Sequence, residues 1–273
     1  MSARVAFPGG AGAHSAAAAE ALFPGEELLA LPTFRAVADE VELGHVDHGV
    51  LPIENSIAGP VAETHDLLFE SPFGIVAQTI LPIRHLLAGP AEITLGDVRL
   101  IRSHPVALEQ CRNLIARLPK AVAVAAATTA EAARAVSAAG DATEVAITSM
   151  RAVELYDLTV LEHDVGDHPE AFTRFVAVTT HLRIERDSSA GYRTSFSFVT
   201  DHRPGALHRA LEPFARLDVD LHQLTSRPIP HTPWRYRFDA VLAGHPLEPH
   251  VRQALAEATA QTRRLLVSGV YPE

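Results

Sequence analysis

Up to about residue 180, short aliphatic and β-branched runs alternate with helical stretches that open at Ser, Thr or Pro and close at Gly. Such alternation commits the chain to strands layered with helices, an α/β architecture with the chemistry at the strand ends. Arg4-Val5-Ala6-Phe7 reads as a strand, Pro8-Gly9-Gly10-Ala11-Gly12 as a turn, and Ser15 opens an Ala-rich helix ended by Pro24-Gly25. Strand, glycine turn and helix form a geometry that receives anions on helix N–H groups. The glycines fall short of G-x-G-x-x-G and no ribose-binding acid follows, which argues against a dinucleotide site. Thr33 reads as the N-cap of a helix running to Gly44. Val50-Leu51-Pro52-Ile53 is the next strand. It delivers Glu54-Asn55-Ser56 to a loop before a helix that starts at Gly59-Pro60, where open α/β sheets bind ligands. Asn55 and Ser56 also suit a plain cap and turn.

Gly74 to Leu87 is nearly all apolar, one long strand or two. Val98 to Ile101 is a strand ending at Ser103-His104-Pro105. A helix follows with Ala107, Leu108, Cys111, Leu114, Ile115 and Leu118 on its buried side, and Gln110 near Ser103 at its start. Cys111 at that spacing is a core residue rather than a nucleophile. After the strand Ala121–Ala127, Thr128-Thr129-Ala130-Glu131 reads as a capping box. Strands at 144–148 and 158–161 precede Glu170-Ala171-Phe172-Thr173-Arg174-Phe175-Val176-Ala177-Val178. In a strand Thr173 and Phe175 face one way and Arg174 the other, unless Thr173 and Arg174 lie in the preceding loop. The whole reads as a mostly parallel, two-lobed α/β unit.

The rhythm then changes. His181 to Gly191 is polar and reads as a linker; the remainder reads strand, helix, strand, strand, helix, strand, the ferredoxin-like order. A net charge of −10 argues against nucleic-acid binding. One cysteine excludes an intrachain disulfide and fits a reducing compartment. With neither a signal-peptide pattern nor a membrane-length apolar run, the expectation is a cytoplasmic protein. His45 and His48, and His163 and His168, flank acidic residues without firm ligand spacing, so no metal is expected.

The resemblance lies in six segments. Pro52-Ile53-Glu54-Asn55-Ser56, Ser103-His104-Pro105 with Gln110-Cys111, and Thr173-Arg174-Phe175 resemble three prephenate dehydratase motifs. Gly9 to Ser15 resembles that family's first glycine loop. Pro204-Gly205-Ala206-Leu207 and Ser226-Arg227-Pro228 resemble the two phenylalanine-binding motifs of its C-terminal ACT domain. The resemblance implies a two-lobed, periplasmic-binding-protein-like catalytic domain at 1–182, with lobes at 1–76 plus 171–182 and at 77–170. A linker at 183–191 and an ACT domain at 192–273 follow. It implies cofactor-free conversion of prephenate to phenylpyruvate, with phenylalanine as effector of a homodimer or homotetramer. Arogenate dehydratase is the alternative enzyme, a non-aromatising prephenate decarboxylase a more distant one, and a non-catalytic amino-acid sensor the alternative of another class.

The implied catalytic set is Thr173, Arg174, Glu54 and Asn55. Thr173 meets the leaving hydroxyl and Arg174 grips a carboxylate, while Glu54 is either an acid with a raised pKa in the cleft or, the favoured role because a charged carboxylate would repel a dianion, an orienter of Thr173 or Arg174. Ser15, Ser56, Ser103, Gln110, Thr128, Thr129 and Ala130 are the implied substrate donors, with Phe175 as wall. The effector set is Pro204, Gly205, Ala206, Leu207, Thr225, Ser226, Arg227 and Pro228. Three positions depart from the family pattern: Ala171 replaces a frequent Asn, Thr225 replaces Glu, and His14 stands where an aromatic ring is common. The first is expected to alter substrate positioning, the second the phenylalanine response, and the third to be tolerated.

Overall fold

The computed structural model describes residues 2–181, 191–229 and 232–273. The expected linker, apart from Gly191, lies outside the described residues. The chain begins with β1 (Arg4–Pro8), α1 (His14–Leu22), β2 (Glu27–Leu31), α2 (Phe34–Glu42), β3 (His48–Asn55), the short β4 (Gly59–Pro60), α3 (Ala62–Glu70) and β5 (Gly74–Pro82). It then crosses to a second lobe of β6 (Leu86–Gly89), β7 (Leu100–Ser103), α4 (Pro105–Glu109), α5 (Arg112–Arg117), β8 (Val122–Ala125), α6 (Thr129–Ala139), β9 (Glu144–Thr148), α7 (Met150–Leu155) and β10 (Thr159–Glu162). It returns to the first lobe as β11 (Phe172–Thr179). The C-terminal unit is β12 (Tyr192–Val199), α8 (Ala206–Arg216), β13 (Leu221–Pro228), β14 (Tyr236–Ala243), α9 (Pro249–Ala260) and β15 (Arg264–Pro272), the ferredoxin-like order read from the sequence.

Two sheets carry this. The second lobe holds a five-stranded sheet in the order β10-β6-β9-β7-β8. All other strands belong to one ten-stranded sheet, β13-β14-β12-β15-β5-β11-β3-β1-β2, with β4 beside β3. It runs from the C-terminal unit into the first lobe through a parallel contact in which Gly269 lies opposite Ile75. A Cβ on Gly269 would stand 2.5 Å from the Ile75 Cβ, so only glycine lets the two backbones close up.

A second tie is a helix. His65, Asp66 and Phe69 of α3 press on the C-terminal sheet. Asp66 accepts from Arg227 at 3.0 Å and Arg237 at 2.7 Å. Arg237 is fully buried, lies 4.6 Å from the Phe69 ring centroid and reaches Asp239 at 3.3 Å. His65 Nδ1 is 3.3 Å from the same Asp239. Removing the fully buried Arg237 would leave the buried Asp239 short of a partner at a cost of about 3–5 kcal/mol.

Several expectations change. β5 pairs with β11 along its length, from Phe172 opposite Pro82 to Thr179 opposite Gly74. The first lobe therefore extends to residue 82 rather than 76. β11 is antiparallel to both β3 and β5, so the large sheet is mixed rather than mostly parallel. β2, a strand of only partly buried residues, has no sequence counterpart above. The helix expected from Pro105 is broken into α4 and α5 at Gln110-Cys111. Thr33 and Thr128 cap α2 and α6 as expected, accepting from Ala36 N and Glu131 N at 3.0 Å each. Glu131 pairs with Arg134 instead of closing the capping box.

Candidate active site

Between the lobes lies a cleft of about 650 Å³. β3 and β11 deliver its floor. Their register sets Asn55 opposite Thr173 and Glu54 opposite Arg174. Alternation along a strand sends these two pairs to opposite faces of the sheet. Asn55 and Thr173 line the cleft with Phe175, whereas Glu54 and Arg174 line a separate chamber behind it.

The front pair has a defined hydrogen-bond direction. Asn55 Oδ1 accepts from Ile57 N at 3.0 Å and Ala58 N at 2.9 Å, which fixes the amide flip. Its Nδ2 therefore donates to Thr173 Oγ1 at 2.9 Å. With a lone pair occupied by that donor, the single hydroxyl proton of the largely buried Thr173 is left to point into the cleft.

Around this hydroxyl the lining consists of helix starts. Ser15 and His14 come from the first turn of α1, His104 and Val106 from the start of α4, and Thr128 and Thr129 from the start of α6. First-turn N–H groups have no intrahelical partner, and the helix dipole gives them a positive field. The glycine loop before α1 makes this arrangement possible. Gly9 has φ +94°, and a Cβ on Gly12 would stand 2.9 Å from the Ala152 Cβ of α7. Ser149 Oγ and Arg151 Nε of the second lobe donate to Gly12 O and Ala11 O at 2.9 and 2.7 Å, so the loop is pinned across the cleft.

The residues that sequence reasoning left without a role are histidines. His14, His85 and His104 all line the cleft. The His14 and His85 rings meet edge-on with centroids 6.5 Å apart. Burial, reinforced by His85, holds His14 down at about 4, and burial lowers His85 and His104 too. At neutral pH these are uncharged rings. His85 Nε2 lies 3.0 Å from Gln110 Oε1, and Gln110 Nε2 and His85 Nδ1 have no hydrogen-bond partner among the described residues. Their signal in the sequence was weak, because an isolated His in an apolar run is indistinguishable from a core residue.

Other assignments move. Arg174 turns away from the cleft: its Nε is 3.6 Å from Glu54, and its Nη1 donates to Gln78 Oε1 at 3.4 Å. It cannot grip a carboxylate beside Thr173, and Glu54, on the same far side, cannot touch a ligand there. Ser103 is fully buried and donates to Ile147 O at 2.7 Å. Ser56 Oγ accepts from Phe172 N at 2.9 Å and closes the loop instead of the cleft wall. Ala130, on the buried face of α6, packs in the core. Ala171 is buried with its carbonyl accepting from Ile83 N at 2.7 Å, outside the cleft lining. Cys111 is buried, and burial pushes its thiol up to about 12. Among the expected effector residues, Gly205 takes φ +73° before α8, Ala206 and Leu207 pack inward, and Pro204 accepts from Arg209 at 3.1 Å. Thr225, Ser226, Arg227 and Pro228 form the end of β13, with Arg227 already engaged by α3. Among the described residues no group of three or more His, Cys, Asp or Glu converges on a metal position, and no helix is long and apolar enough to cross a membrane.

A two-lobed α/β unit that presents a directed hydroxyl to a cleft ringed by helix N-termini is joined here to a ferredoxin-like unit. The prephenate dehydratase family model matches residues 5–182. The chain is 37% identical over 232 residues to an Arabidopsis thaliana chloroplastic arogenate dehydratase/prephenate dehydratase, covering 85% of this chain and 59% of that one. It is 35% identical to a bifunctional chorismate mutase/prephenate dehydratase of Aquifex aeolicus, covering 88% and 65%. The crystal structure of an Arthrobacter aurescens prephenate dehydratase in complex with L-Phe superposes with a TM-score of 0.90 at 28% identity, covering 99% and 90%. The chain belongs to the prephenate dehydratase family. It spans roughly six-tenths of the length of the first of these curated relatives.

Proposed function

We propose that the protein converts prephenate to phenylpyruvate, releasing water and carbon dioxide. The observation that carries this reading is the Asn55–Thr173 hydrogen bond, which leaves the threonine proton for a leaving group in the cleft. As the C1–carboxylate bond breaks, its electrons form a ring double bond and expel the C4 oxygen. That oxygen takes a proton and departs as water, and the ring becomes aromatic. The balance consumes one proton, which solvent supplies: Thr173 shares its hydroxyl proton with the departing oxygen as the C4–O bond breaks, without full transfer, and solvent completes the water. Asn55 Nδ2 steadies Thr173 Oγ1 while its proton is shared.

The substrate is a dianion, yet no Arg or Lys lines the described cleft. The carboxylates are therefore held by neutral donors: first-turn N–H groups and hydroxyls at Ser15, Thr128 and Thr129, and the free amide of Gln110. Uncharged His14 and His85 wall the pocket, and Phe175 packs on the ring. Glu63, exposed at the rim, is the carboxylate in the lining, and it favours arogenate as a second substrate because it can face an ammonium group.

The C-terminal unit is proposed as an ACT domain that takes phenylalanine through Pro204–Leu207 and Thr225–Pro228 in a homodimer or homotetramer, with the protein working in the cytoplasm. The L-Phe complex of the Arthrobacter relative supports phenylalanine as the ligand. The test is to incubate purified protein with prephenate or arogenate and measure phenylpyruvate in base and phenylalanine, with added phenylalanine in parallel. Aromatic product is expected from prephenate. None from either substrate overturns the reading in favour of a sensor.

A further inference from the structure

The chamber behind the cleft has its own composition. It holds about 150 Å³ and is lined by Glu54 and Arg174 of the first lobe and by Arg193, His222, Gln223 and Val241 of the C-terminal unit. The Nε atoms of Arg174 and Arg193 are both buried, and neither has a hydrogen-bond partner among the described residues. Their nearest carboxylates, Glu54 at 3.6 Å and Glu273 at 3.5 Å, stand beyond ordinary N–H···O range. Glu273 lies outside the lining and is half-exposed, so its charge is screened. The lining itself thus carries two guanidinium groups against one carboxylate. His222 stands 3.7 Å from Asp220.

We propose that this chamber binds a small aliphatic monocarboxylate of about pyruvate size, which bridges the first lobe to the C-terminal unit. A planar carboxylate fits the guanidinium fork. One excess positive charge matches one negative charge, whereas a doubly charged phosphate would also face Glu54. With Val241 as the single apolar wall, an aromatic side chain would lie against charged and polar groups and gain little from burial. The site is separate from the cleft and independent of the reaction run there. It is one residue along each strand from Asn55 and Thr173, where the β3–β11 register shifts between Arg174 and Phe175.

The test titrates pyruvate into the full chain by calorimetry, with inorganic phosphate as a competitor. Wild type is expected to bind. Arg193→Gln, checked for folding by thermal melt, should weaken binding by about tenfold or more. Val241→Phe, which occupies the chamber while leaving its charged residues in place, should abolish it. Thr173→Val, in the cleft, should leave it intact. Equal binding by wild type and both chamber variants overturns the proposal, as does loss in Thr173→Val or displacement by phosphate at equal concentration. Failure of folded wild type to bind at about 10 mM overturns it too.

Discussion

Asn55→Asp is the sharpest perturbation of the site. The aspartate keeps one oxygen where Oδ1 accepts from Ile57 N and Ala58 N, so the loop that Asn55 organises is preserved. The other oxygen replaces the amide donor 2.9 Å from Thr173 Oγ1. An ionised carboxylate only accepts, so the threonine proton turns toward the introduced oxygen and away from the cleft. Withdrawing a positioned proton donor costs about 10²–10⁴-fold in kcat, or about 2.7–5.4 kcal/mol of barrier. The new charge also repels a dianion, so the effect must be read at saturating prephenate, separating kcat from KM. Thr173→Val gives the background for a double-mutant cycle. If Asn55 acts through the threonine proton, adding Asn55→Asp to Thr173→Val changes kcat by less than about threefold. A kcat for Asn55→Asp within about threefold of wild type, or multiplicative losses in the double variant, would refute the proton-direction argument.

Three further outcomes are expected. Arg174→Gln should change the KM for prephenate by less than about threefold, because its guanidinium faces Glu54 and Gln78 rather than the cleft; steady-state kinetics decide this. Gly269→Val should lower the melting temperature through an overpacking cost of about 1–3 kcal/mol or more, since its Cβ collides with Ile75 backbone that cannot rotate away; calorimetry reads it. His14 has its folded pKa lowered from the ordinary 6.5 to about 4, so between those values the unfolded chain holds more of this proton than the folded one. Its stability contribution is therefore complete above pH 6.5 and is lost as pH falls toward 4, with His85 acting in the same direction. Urea unfolding at about pH 7.5 and about pH 5 should show this loss, and His14→Phe should reduce it.

Local signals in the sequence carried much of the fold. Thr33, Thr128 and Gly140 act at helix ends as their chemistry dictates, and the switch after residue 191 from two-lobed α/β to the βαββαβ order is visible in the spacing alone. What the sequence hid were properties of long-range pairing. Strand alternation predicted opposite faces for Thr173 and Arg174, but only pairing with β3 shows that the cleft is on the threonine side. Ser103 resembles a ligand-facing residue until Ile147 supplies its carbonyl partner. Gln110 enters the cleft because the helix breaks beneath it, a break with no Pro or Gly to announce it. His14 and His85 lie far apart in the chain and become a pair only when the lobes meet.

The strand partnership between β15 and β5 has a mechanical corollary. A sheet hydrogen-bonded across the boundary, with α3 wedged beside it, makes the first lobe and the C-terminal unit one platform. The chain enters and leaves the second lobe at the crossings 83–85 and 163–171, the loops before β6 and after β10, and Ser149 and Arg151 add the contacts to the glycine loop. The platform carries Thr173 and Asn55, so a closing movement of the second lobe would act against a fixed base that holds this pair. A phenylalanine signal at the C-terminal unit, as proposed above, would reach the Asn55–Thr173 pair through β5, β11 and α3, and would reach Gln110 and Thr128 on the second lobe only through a change in the width of the cleft.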